Sequence, residues 1–296
     1  MRPAVGQRSI SSFPTLMHTW QWHTWQNLPY LSCSLLADWP HGFFTHHFWP
    51  RLPAALTPVL HSTAQTYRVK QVHGNAVLAP SEIAASGSDS SEDVAESGSL
   101  PQADGLMTEF ASQAVWVCTA DCTPVLIADG ETGQVAAIHA GWRGTAAQIV
   151  PQAVARLQAQ GSQLKNLRVA MGPAIAGEVY QVSEEVAAEV ATSLFPQTES
   201  LPPETILEKI AFHKETPVLP DPQPGKVRLD VRHANTLQLK QLGLTAEQIA
   251  IAPHCTYQEP DRFFSYRRDG QKKVQWSGIV SIEREPEDLS TGTTLV

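Results

Sequence analysis

The segment ASQAVWVCTADCTPVLIADGETGQVAAIHAGWRG, Ala111 to Gly144, decides the fold because three apolar runs within it are separated by short polar breaks. Cys122 follows the first of these runs, and His139 follows the third. Apolar runs rich in β-branched residues and bounded by turn residues predict β-strands. If the strands pair, Cys122 and His139 lie close together at one end of them. The predicted strands are 114–118, 124–128 and 134–138.

The composition is typical of a globular protein and argues against two classes of function. The chain has 296 residues and a net charge of −8, and seven acidic residues with no basic residue fall between Ser81 and Glu109. A chain without a basic face does not favour nucleic acid binding. No apolar run approaches the roughly 18 residues of a membrane span, and the N-terminus lacks a signal-peptide pattern, so we expect a cytoplasmic protein. The cysteines lack a disulfide spacing and are expected to be reduced: Cys33, Cys118, Cys122 and Cys255.

Strand and helix patterns alternate irregularly over 28–283, with no repeat, P-loop or dinucleotide-binding motif. They predict a single α+β domain of mixed sheets whose outer faces are covered by helices. Helix-capping residues are clear at Ser183, Asp230, Gly243 and Thr245, whereas Pro151 predicts a kink or a restart in the helix 145–160. Further strands are expected at 28–36, 42–48, 67–72, 76–78, 167–171, 249–253 and 274–282.

Polar or proline-rich segments are expected to lie outside this core, because they hold too few apolar residues to offset the entropy of ordering them. Met17 is a second candidate for the natural start of the chain. The segments are a disordered leader over 1–27, surface excursions over 84–102 and 195–226, and a loose tail over 284–296.

Six motifs in order give the chain its resemblance to a known family. They are Gln71–Gly74 (QVHG), Ala103–Gly105 (ADG), Thr119–Leu126 (TADCTPVL), His139–Gly144 (HAGWRG), Met171–Pro173 (MGP) with Tyr180, and Phe264–Gly270 (FSYRRDG). Together they resemble the YfiH/laccase-domain family over about Gly42 to Glu283. Members of that family were first called multicopper polyphenol oxidases. They are now described as zinc-dependent enzymes that phosphorolyse adenosine, inosine, guanosine and methylthioadenosine and deaminate adenosine.

The resemblance implies a fold, a metal site and a set of partners. The fold is a layered sandwich similar to the catalytic domain of the CNF toxin, a deamidase that uses a Cys/His pair. The implied metal ligands and catalytic residues are His73, Cys122 and His139, and all three ligand types are present. The implied partners are purine nucleosides and phosphate. One departure lies at Thr45–Pro50, where the family has a glycine-rich turn with an arginine for substrate or phosphate contact and this chain reads THHFWP.

The chemistry of these side chains independently favours a metal. Imidazole and thiolate are ligands that zinc prefers, and three protein ligands leave a fourth tetrahedral position open, as in catalytic sites. Copper is the alternative, since nitrogen and sulfur donors suit it too. A multicopper oxidase, however, needs many more clustered histidines than this set provides.

Phosphorolysis also requires cationic groups for phosphate. Arg143 is a candidate for bidentate contact, or else a structural arginine that ties its turn. Arg267 and Arg268 are weaker candidates, because adjacent residues in a strand cannot both face the site. The remaining candidates carry an ordinary structural alternative each: His46 and His47 on opposite faces of a strand, Cys118 in the core, Asp121 orienting a ligand or capping its turn, and His254 and Cys255 at a strand end.

Two other functions use the same residues. Without a metal, Cys122 is a thiolate nucleophile with His139 as its base, which describes a hydrolase of amide or acyl substrates. A metal-binding interaction module without activity would hold one equivalent of metal and leave nucleosides unchanged. The sequence predicts no oligomeric state.

Overall fold

The computed structural model describes residues 18–85, 100–211, 213 and 215–284. The strands are β1 (Trp20–Trp25), β2 (Leu28–Cys33), β3 (His41–Phe44), β4 (Gln65–Tyr67), β5 (Val77–Leu78), β6 (Gly105–Met107), β7 (Gln113–Thr119), β8 (Thr123–Asp129), β9 (Val135–Ala140), β10 (Leu167–Met171), β11 (Gln181–Ser183), β12 (Val218–Pro220), β13 (Lys226–Leu229), β14 (Ile249–Ile251) and β15 (Gln275–Val280). The α-helices are α1 (Pro53–Leu60), α2 (Pro80–Ala85), α3 (Trp142–Ala146), α4 (Ile149–Ala159), α5 (Glu184–Leu194), α6 (Pro203–Ala211), α7 (Val231–Leu242) and α8 (Tyr266–Asp269).

The strands form two mixed six-stranded sheets and one small antiparallel sheet. The first sheet has the order β1-β2-β3-β15-β7-β4 and the second the order β14-β10-β8-β9-β6-β5, while the small sheet has the order β11-β13-β12. The two large sheets pack face to face through a buried cluster that includes Val115 and Val117 of the first sheet and Leu126 and Ala137 of the second. This interface is the centre of the domain.

Helices cover the outer faces of both large sheets. Ile127 and Ile138 of the second sheet lie in one buried cluster with Val154 of α4 and Leu239 of α7. On the other side, Trp116 of β7 packs against Leu56 of α1. The α+β prediction, with mixed sheets covered by helices, is therefore confirmed.

The quoted segment folds as three strands, but they are divided between the two sheets. β7 lies in the first sheet, whereas β8 and β9 form an antiparallel hairpin in the second. The chain therefore crosses from one sheet to the other at residues 120–122, and Cys122 lies on this crossing. Because Pro124 is the register partner of His139, Cys122 and the end of β9 meet at one edge of the second sheet.

The helix caps follow the sequence prediction closely. The Ser183 hydroxyl accepts a hydrogen bond from the Val186 amide at 3.5 Å, and the Asp230 carboxylate accepts one from the His233 amide at 2.9 Å. Gly243 ends α7 with a φ of 105°, and both bonds of the Thr245 capping box are present. The predicted helix over 145–160 breaks and restarts at Ile149, two residues before Pro151, as the proline implied.

The expected leader over 1–27 is wrong in its last part. Residues 20–25 form β1, which pairs with β2 along its whole length at the edge of the first sheet. Its side chains are half-buried or exposed, so the segment has no apolar periodicity by which to identify it. The earlier part of the leader, residues 1–17, lies outside the described residues.

The surface excursion predicted over 195–226 is also wrong, because the described residues of this segment include α6 and β12 and are partly buried. Pro203 begins α6, and Ile206 and Ile210 of that helix pack against Ala188 and Ala191 of α5. Pro203 occupies the first position of this helix, which tolerates a missing amide. The excursion over 84–102 and the tail over 284–296 lie mostly outside the described residues. No helix in the described part of the chain has the length and apolarity needed to cross a membrane.

Candidate metal centre

Three side chains from distant parts of the sequence meet at the crossing between the two large sheets. His73 lies on the loop between β4 and β5, Cys122 on the crossing itself, and His139 near the end of β9. Their ligand atoms all lie within 4.8 Å of one another. The two imidazole rings are edge to face, with centroids 4.8 Å apart. Within the described ranges, this is the cluster of histidine, cysteine and acidic side chains that could hold a metal ion.

Asp104 fixes the orientation of His139. Its Oδ1 atom lies 2.7 Å from Nδ1 of His139, and both side chains are buried. When the Nδ1–H group donates to this carboxylate, Nε2 of His139 keeps its lone pair free for a metal. A carboxylate behind a ligating histidine is the usual arrangement that sets the tautomer and raises the basicity of the ligand.

The same carboxylate also holds the loop that carries His73. The amides of Val72, His73 and Gly74 donate to Asp104 at 3.1, 2.9 and 2.7 Å. His73 has a φ of 62°, a left-handed conformation that costs a non-glycine residue energy and needs such support. The sequence prediction assigned no role to Asp104, although a carboxylate directly before the buried strand β6 was the available signal.

Gly141 lets the three ligands approach one another. A Cβ atom at this position would lie 2.9 Å from Sγ of Cys122 and 3.4 Å from Cδ2 of His73. The first distance is shorter than Cβ contacts in proteins allow, so any larger residue would push the thiol away. A glycine is therefore required at the start of the HAGWRG turn.

The charges of Cys122 and His139 are coupled. Burial raises the pKa of the Cys122 thiol, but the imidazoles of His139 and His73 outweigh it and hold that pKa below its usual range. Burial lowers the pKa of His139, but Cys122 and Asp104 outweigh it and raise that pKa above its usual range. A thiolate next to an imidazolium results. A metal cation bound here would replace the proton of the imidazolium. The donor set of one thiolate and two imidazoles, which is exposed on the His73 side, fits zinc and also copper.

Asp121 holds the backbone next to Cys122 rather than a ligand side chain. Its carboxylate accepts hydrogen bonds from the Thr256 hydroxyl and the Arg267 amide, both at 2.7 Å. Its backbone oxygen accepts a further bond from the Ile175 amide at 3.0 Å. Asp121 has a φ of 89°, so these bonds support an unfavourable backbone conformation directly before the thiol.

Arg267 and Arg268 lie in a helix, so the strand predicted for them is wrong. The helix, α8, forms because the Ser265 hydroxyl accepts a hydrogen bond from the Arg268 amide at 3.2 Å. Arg268 donates to the backbone oxygens of Thr256 and Phe263, and its role is structural. Arg267 is exposed, and its guanidinium lies 4.8 Å from the centroid of the Tyr180 ring.

Arg143, Arg267 and Cys122 all influence the pKa of the same side chain, Tyr180. Burial raises the pKa of Tyr180 to about 12, Cys122 acts in the same direction, and Arg267 and Arg143 oppose the shift. Arg143 is exposed and stacks on Trp142 at 4.5 Å, and its guanidinium has no hydrogen-bond partner within the part of the chain described here. Arg267 donates through Nη1 to the Gln181 oxygen at 2.6 Å, which leaves its other N–H groups, and all those of Arg143, available beside the cluster.

The other candidate residues do not join the cluster. The rings of His46 and His47 contact each other at 4.4 Å in a 3₁₀ turn, so their predicted placement on opposite faces of a strand is wrong. The strand ends at Phe44 because the chain turns there, with the His46 amide bonded to the Arg262 oxygen. The other three side chains have structural partners. His254 is hydrogen-bonded to Glu259, and Cys255 accepts a hydrogen bond from the Ala176 amide. Cys118 packs beside the cluster of Trp116 and Leu56.

Comparison with known proteins identifies relatives of this chain. The family model described as multi-copper polyphenol oxidoreductase laccase matches residues 54–282. A purine nucleoside phosphorylase of Synechocystis is 51% identical over 262 residues, which cover 88% of this chain and 97% of the relative. An adenosine deaminase of an unknown prokaryotic organism is 32% identical over 175 residues, 59% of this chain and 60% of that protein. The crystal structure of YlmD from Geobacillus stearothermophilus superposes with a TM-score of 0.70 at 26% identity, covering 88% of this chain and 99% of YlmD.

These comparisons agree with the motifs in the sequence and with the fold. The matched range includes the three clustered side chains His73, Cys122 and His139 together with Asp104. The resemblance inferred from the sequence motifs is thereby confirmed. The chain belongs to the multi-copper polyphenol oxidoreductase laccase family.

Proposed function

We propose that this protein is a zinc-dependent purine nucleoside phosphorylase that also deaminates adenosine. The observation that carries the proposal is the meeting of His73, Cys122 and His139 within 4.8 Å, beside two arginines with available N–H groups. The names of the relatives support it, since one that is 51% identical is a purine nucleoside phosphorylase and another is an adenosine deaminase. The proposed substrates are adenosine, inosine, guanosine and methylthioadenosine, with phosphate.

The proposed ligands of zinc are His73, Cys122 and His139. When bound, the zinc ion supplies Lewis-acid activation of a nucleophile or leaving group. Asp104 keeps His139 in the tautomer that can bind, and Gly141 leaves the space that the thiolate occupies. Copper is less suitable as a redox centre here, because multicopper oxidation needs several copper ions, whereas the described residues bring together one cluster of three ligands.

Phosphorolysis places specific demands on the residues beside the cluster. An oxygen of phosphate forms a bond to the anomeric carbon of the ribose while the bond from that carbon to the purine nitrogen breaks. The purine leaves with the electron pair and takes up a proton, and ribose 1-phosphate remains. Arg143 and Arg267 are the proposed phosphate ligands, because guanidinium groups bind phosphate oxygens in pairs and stacking on Trp142 and Tyr180 holds their planes.

Deamination of adenosine requires a different nucleophile at a different carbon. Water adds at C6 of the purine, and ammonia leaves to give inosine. Phosphate takes no part in this reaction, so the two arginines are needed for phosphorolysis and not for deamination. This difference lets the two activities be separated by mutation.

A metal-free cysteine hydrolase is the second candidate function. Asp104, His139 and Cys122 are arranged as acid, base and nucleophile, and the lowered pKa of Cys122 favours the thiolate that such an enzyme requires. The substrate in that case is an amide or ester. Its activity persists when all metal is removed.

Product analysis tests the proposal. The purified protein is incubated with adenosine, with and without phosphate, and adenine, inosine and ribose 1-phosphate are quantified. We expect adenine and ribose 1-phosphate only with phosphate, and inosine in both conditions. The ribose 1-phosphate should equal the sum of adenine and of the hypoxanthine released from inosine. Absence of all three products in the presence of zinc would reject the proposed function. Turnover of amide or ester substrates after chelation would favour the cysteine hydrolase.

A further inference from the structure

Gln71 connects the loop that carries His73 to the strand that leads to Cys122. Its side-chain Nε2 donates to the backbone oxygen of Cys118 at 2.8 Å, and its Oε1 accepts from the Cys118 amide at 2.7 Å. Gln71 precedes His73 by two residues, and Cys118 precedes Cys122 by four. One amide side chain therefore joins two segments that each deliver a member of the cluster.

The position of Gln71 follows from the way the first sheet ends. β4 pairs with β7 in parallel from Gln65 to Tyr67, opposite Gln113 to Val115, and then stops. On its other side, β7 remains paired with β15 as far as Thr119. Because β4 ends at Tyr67, it offers no backbone partner for the amide and oxygen of Cys118 further along β7. The Gln71 side chain supplies the partner instead, because an amide offers one donor and one acceptor with the spacing of a peptide group.

The opposite side of this loop is held by the segment that leads into the second sheet. The Lys70 amide donates to the Pro101 oxygen at 3.0 Å, and the Ala103 amide donates to the Lys70 oxygen at 3.2 Å. Asp104, which accepts from the three following amides of the loop, leads directly into β6 of the second sheet. The loop 70–74 thus spans both sheets, and Gln71 is its side-chain attachment to the first.

We infer that Gln71 is a positioning residue that fixes His73 relative to Cys122 and thereby sets the affinity of the site for metal. The inference rests on the proposed metal centre and is independent of the substrate. Asp104 relates His73 to His139, since both belong to its hydrogen-bond network. Within the described part of the chain, the hydrogen bonds of Asp104 do not extend to Cys122, and the Gln71 amide links the segments of His73 and Cys122 directly. His73 is exposed, and its ring packs edge to face on the ring of His139. That contact relates His73 to β9 and not to the strand that leads to Cys122.

Zinc affinity of Gln71→Leu tests this inference. The variant removes both hydrogen bonds and retains a side chain of similar size. We expect the zinc dissociation constant, measured by competition with a chromophoric chelator and zinc salt alone, to rise about 10- to 100-fold, as for residues that orient metal ligands. Gln71→Glu keeps the acceptor for the Cys118 amide but places a carboxylate against the Cys118 oxygen. It is expected to lose affinity in the same direction, and it carries the test if Gln71→Leu does not fold.

Gln113→Leu is the matched control. Gln113 is the same residue type at the opposite end of β7, and its Oε1 accepts two backbone hydrogen bonds, from Glu109 at 2.8 Å and Phe110 at 3.0 Å. Both variants are expected to lose thermal stability, but only the Gln71 variants should lose zinc affinity. A folded Gln71 variant with wild-type zinc affinity, or an equal loss in Gln113→Leu, overturns the inference. Failure of the wild-type protein to bind zinc would instead reject the proposed metal centre.

Discussion

Oδ1 of Asp104 lies 2.7 Å from Nδ1 of His139, while the two oxygens of the same carboxylate accept the amides of Val72, His73 and Gly74. One buried carboxylate therefore orients the ring of one proposed ligand and the backbone of another. Asp104 comes directly before β6, which pairs with β9, so the hydrogen-bond ladder of the second sheet delivers the acid to His139. The geometry of the cluster depends on this acid as much as on the ligands themselves.

Asp104→Asn should weaken metal binding without unfolding the domain. The amide keeps an acceptor for the loop amides, but it lacks the negative charge that holds His139 as a Nδ1–H donor. We expect zinc affinity to fall about 10- to 100-fold and turnover to fall with it at limiting zinc. Competition titration and turnover measured against zinc concentration provide the check. Undiminished affinity in a folded variant would show that the carboxylate does not orient the ligand.

Gly141→Ala should displace the thiolate. The added Cβ atom would lie 2.9 Å from Sγ of Cys122, and a shift of about 1 Å at a reacting centre costs about 100-fold in rate. Gly130→Ala is the control, because a Cβ there meets only the Asn166 oxygen at 3.4 Å. Turnover and bound zinc should fall in the first variant and stay at wild-type levels in the second. Equal behaviour of the two variants would contradict the crowding argument.

Much of the fold follows from local patterns, whereas several supports of the site do not. A few consecutive residues are enough to predict the strands β7, β8 and β9 and the caps of α5 and α7. β1 has no apolar pattern because it is an edge strand with half-buried or exposed side chains. α6 lies in a proline-rich segment, and such segments are also typical of loops. The strand pattern in the sequence also predicts that Cys122 and His139 lie close together. The roles of Asp104 and Gln71 arise only where the two sheets meet. A carboxylate directly before β6 marks Asp104 as unusual but does not reveal its partners, and no local pattern marks Gln71.

Alkylation of the metal-free protein should show the lowered pKa of Cys122. The imidazoles of His139 and His73 outweigh burial and hold that pKa below its usual range, so the thiolate persists at pH values where an ordinary thiol is protonated. We expect iodoacetamide to modify Cys122 at pH 7 faster than Cys118, whose pKa burial raises to about 12. The rate should fall as the pH drops through the lowered pKa. Peptide mass spectrometry assigns the modified residue.

His139→Ala provides the control for that experiment. Without the imidazole, the pKa of Cys122 should move back towards or above its ordinary value, and alkylation at pH 7 should slow. Added zinc should protect the wild-type thiol. An alkylation rate at pH 7 that His139→Ala leaves unchanged would contradict the thiolate and imidazolium pair.

Arg143→Ala and Arg267→Ala should separate the two proposed activities. A hydrogen bond to a charged group contributes about 1.5–3 kcal/mol, so loss of either guanidinium should raise the KM for phosphate about 10- to 100-fold. Deamination of adenosine, which does not use phosphate, should change little. Arg168→Ala is the control, because its guanidinium bonds to the Lys165 and Leu167 oxygens away from the cluster. Equal losses of phosphorolysis and deamination in the Arg143 and Arg267 variants would argue against a phosphate site there.

The most direct test of the account is a zinc titration of the fully chelated protein with both reactions followed together. Formation of ribose 1-phosphate from adenosine and phosphate and formation of inosine should both be absent at first. They should then rise in parallel and saturate at one zinc ion per chain. His73→Ala, Cys122→Ala and His139→Ala should fold and remain inactive throughout. Survival of either activity after complete chelation, or full turnover in any one of these variants, would contradict the proposal of a single zinc centre that serves both reactions.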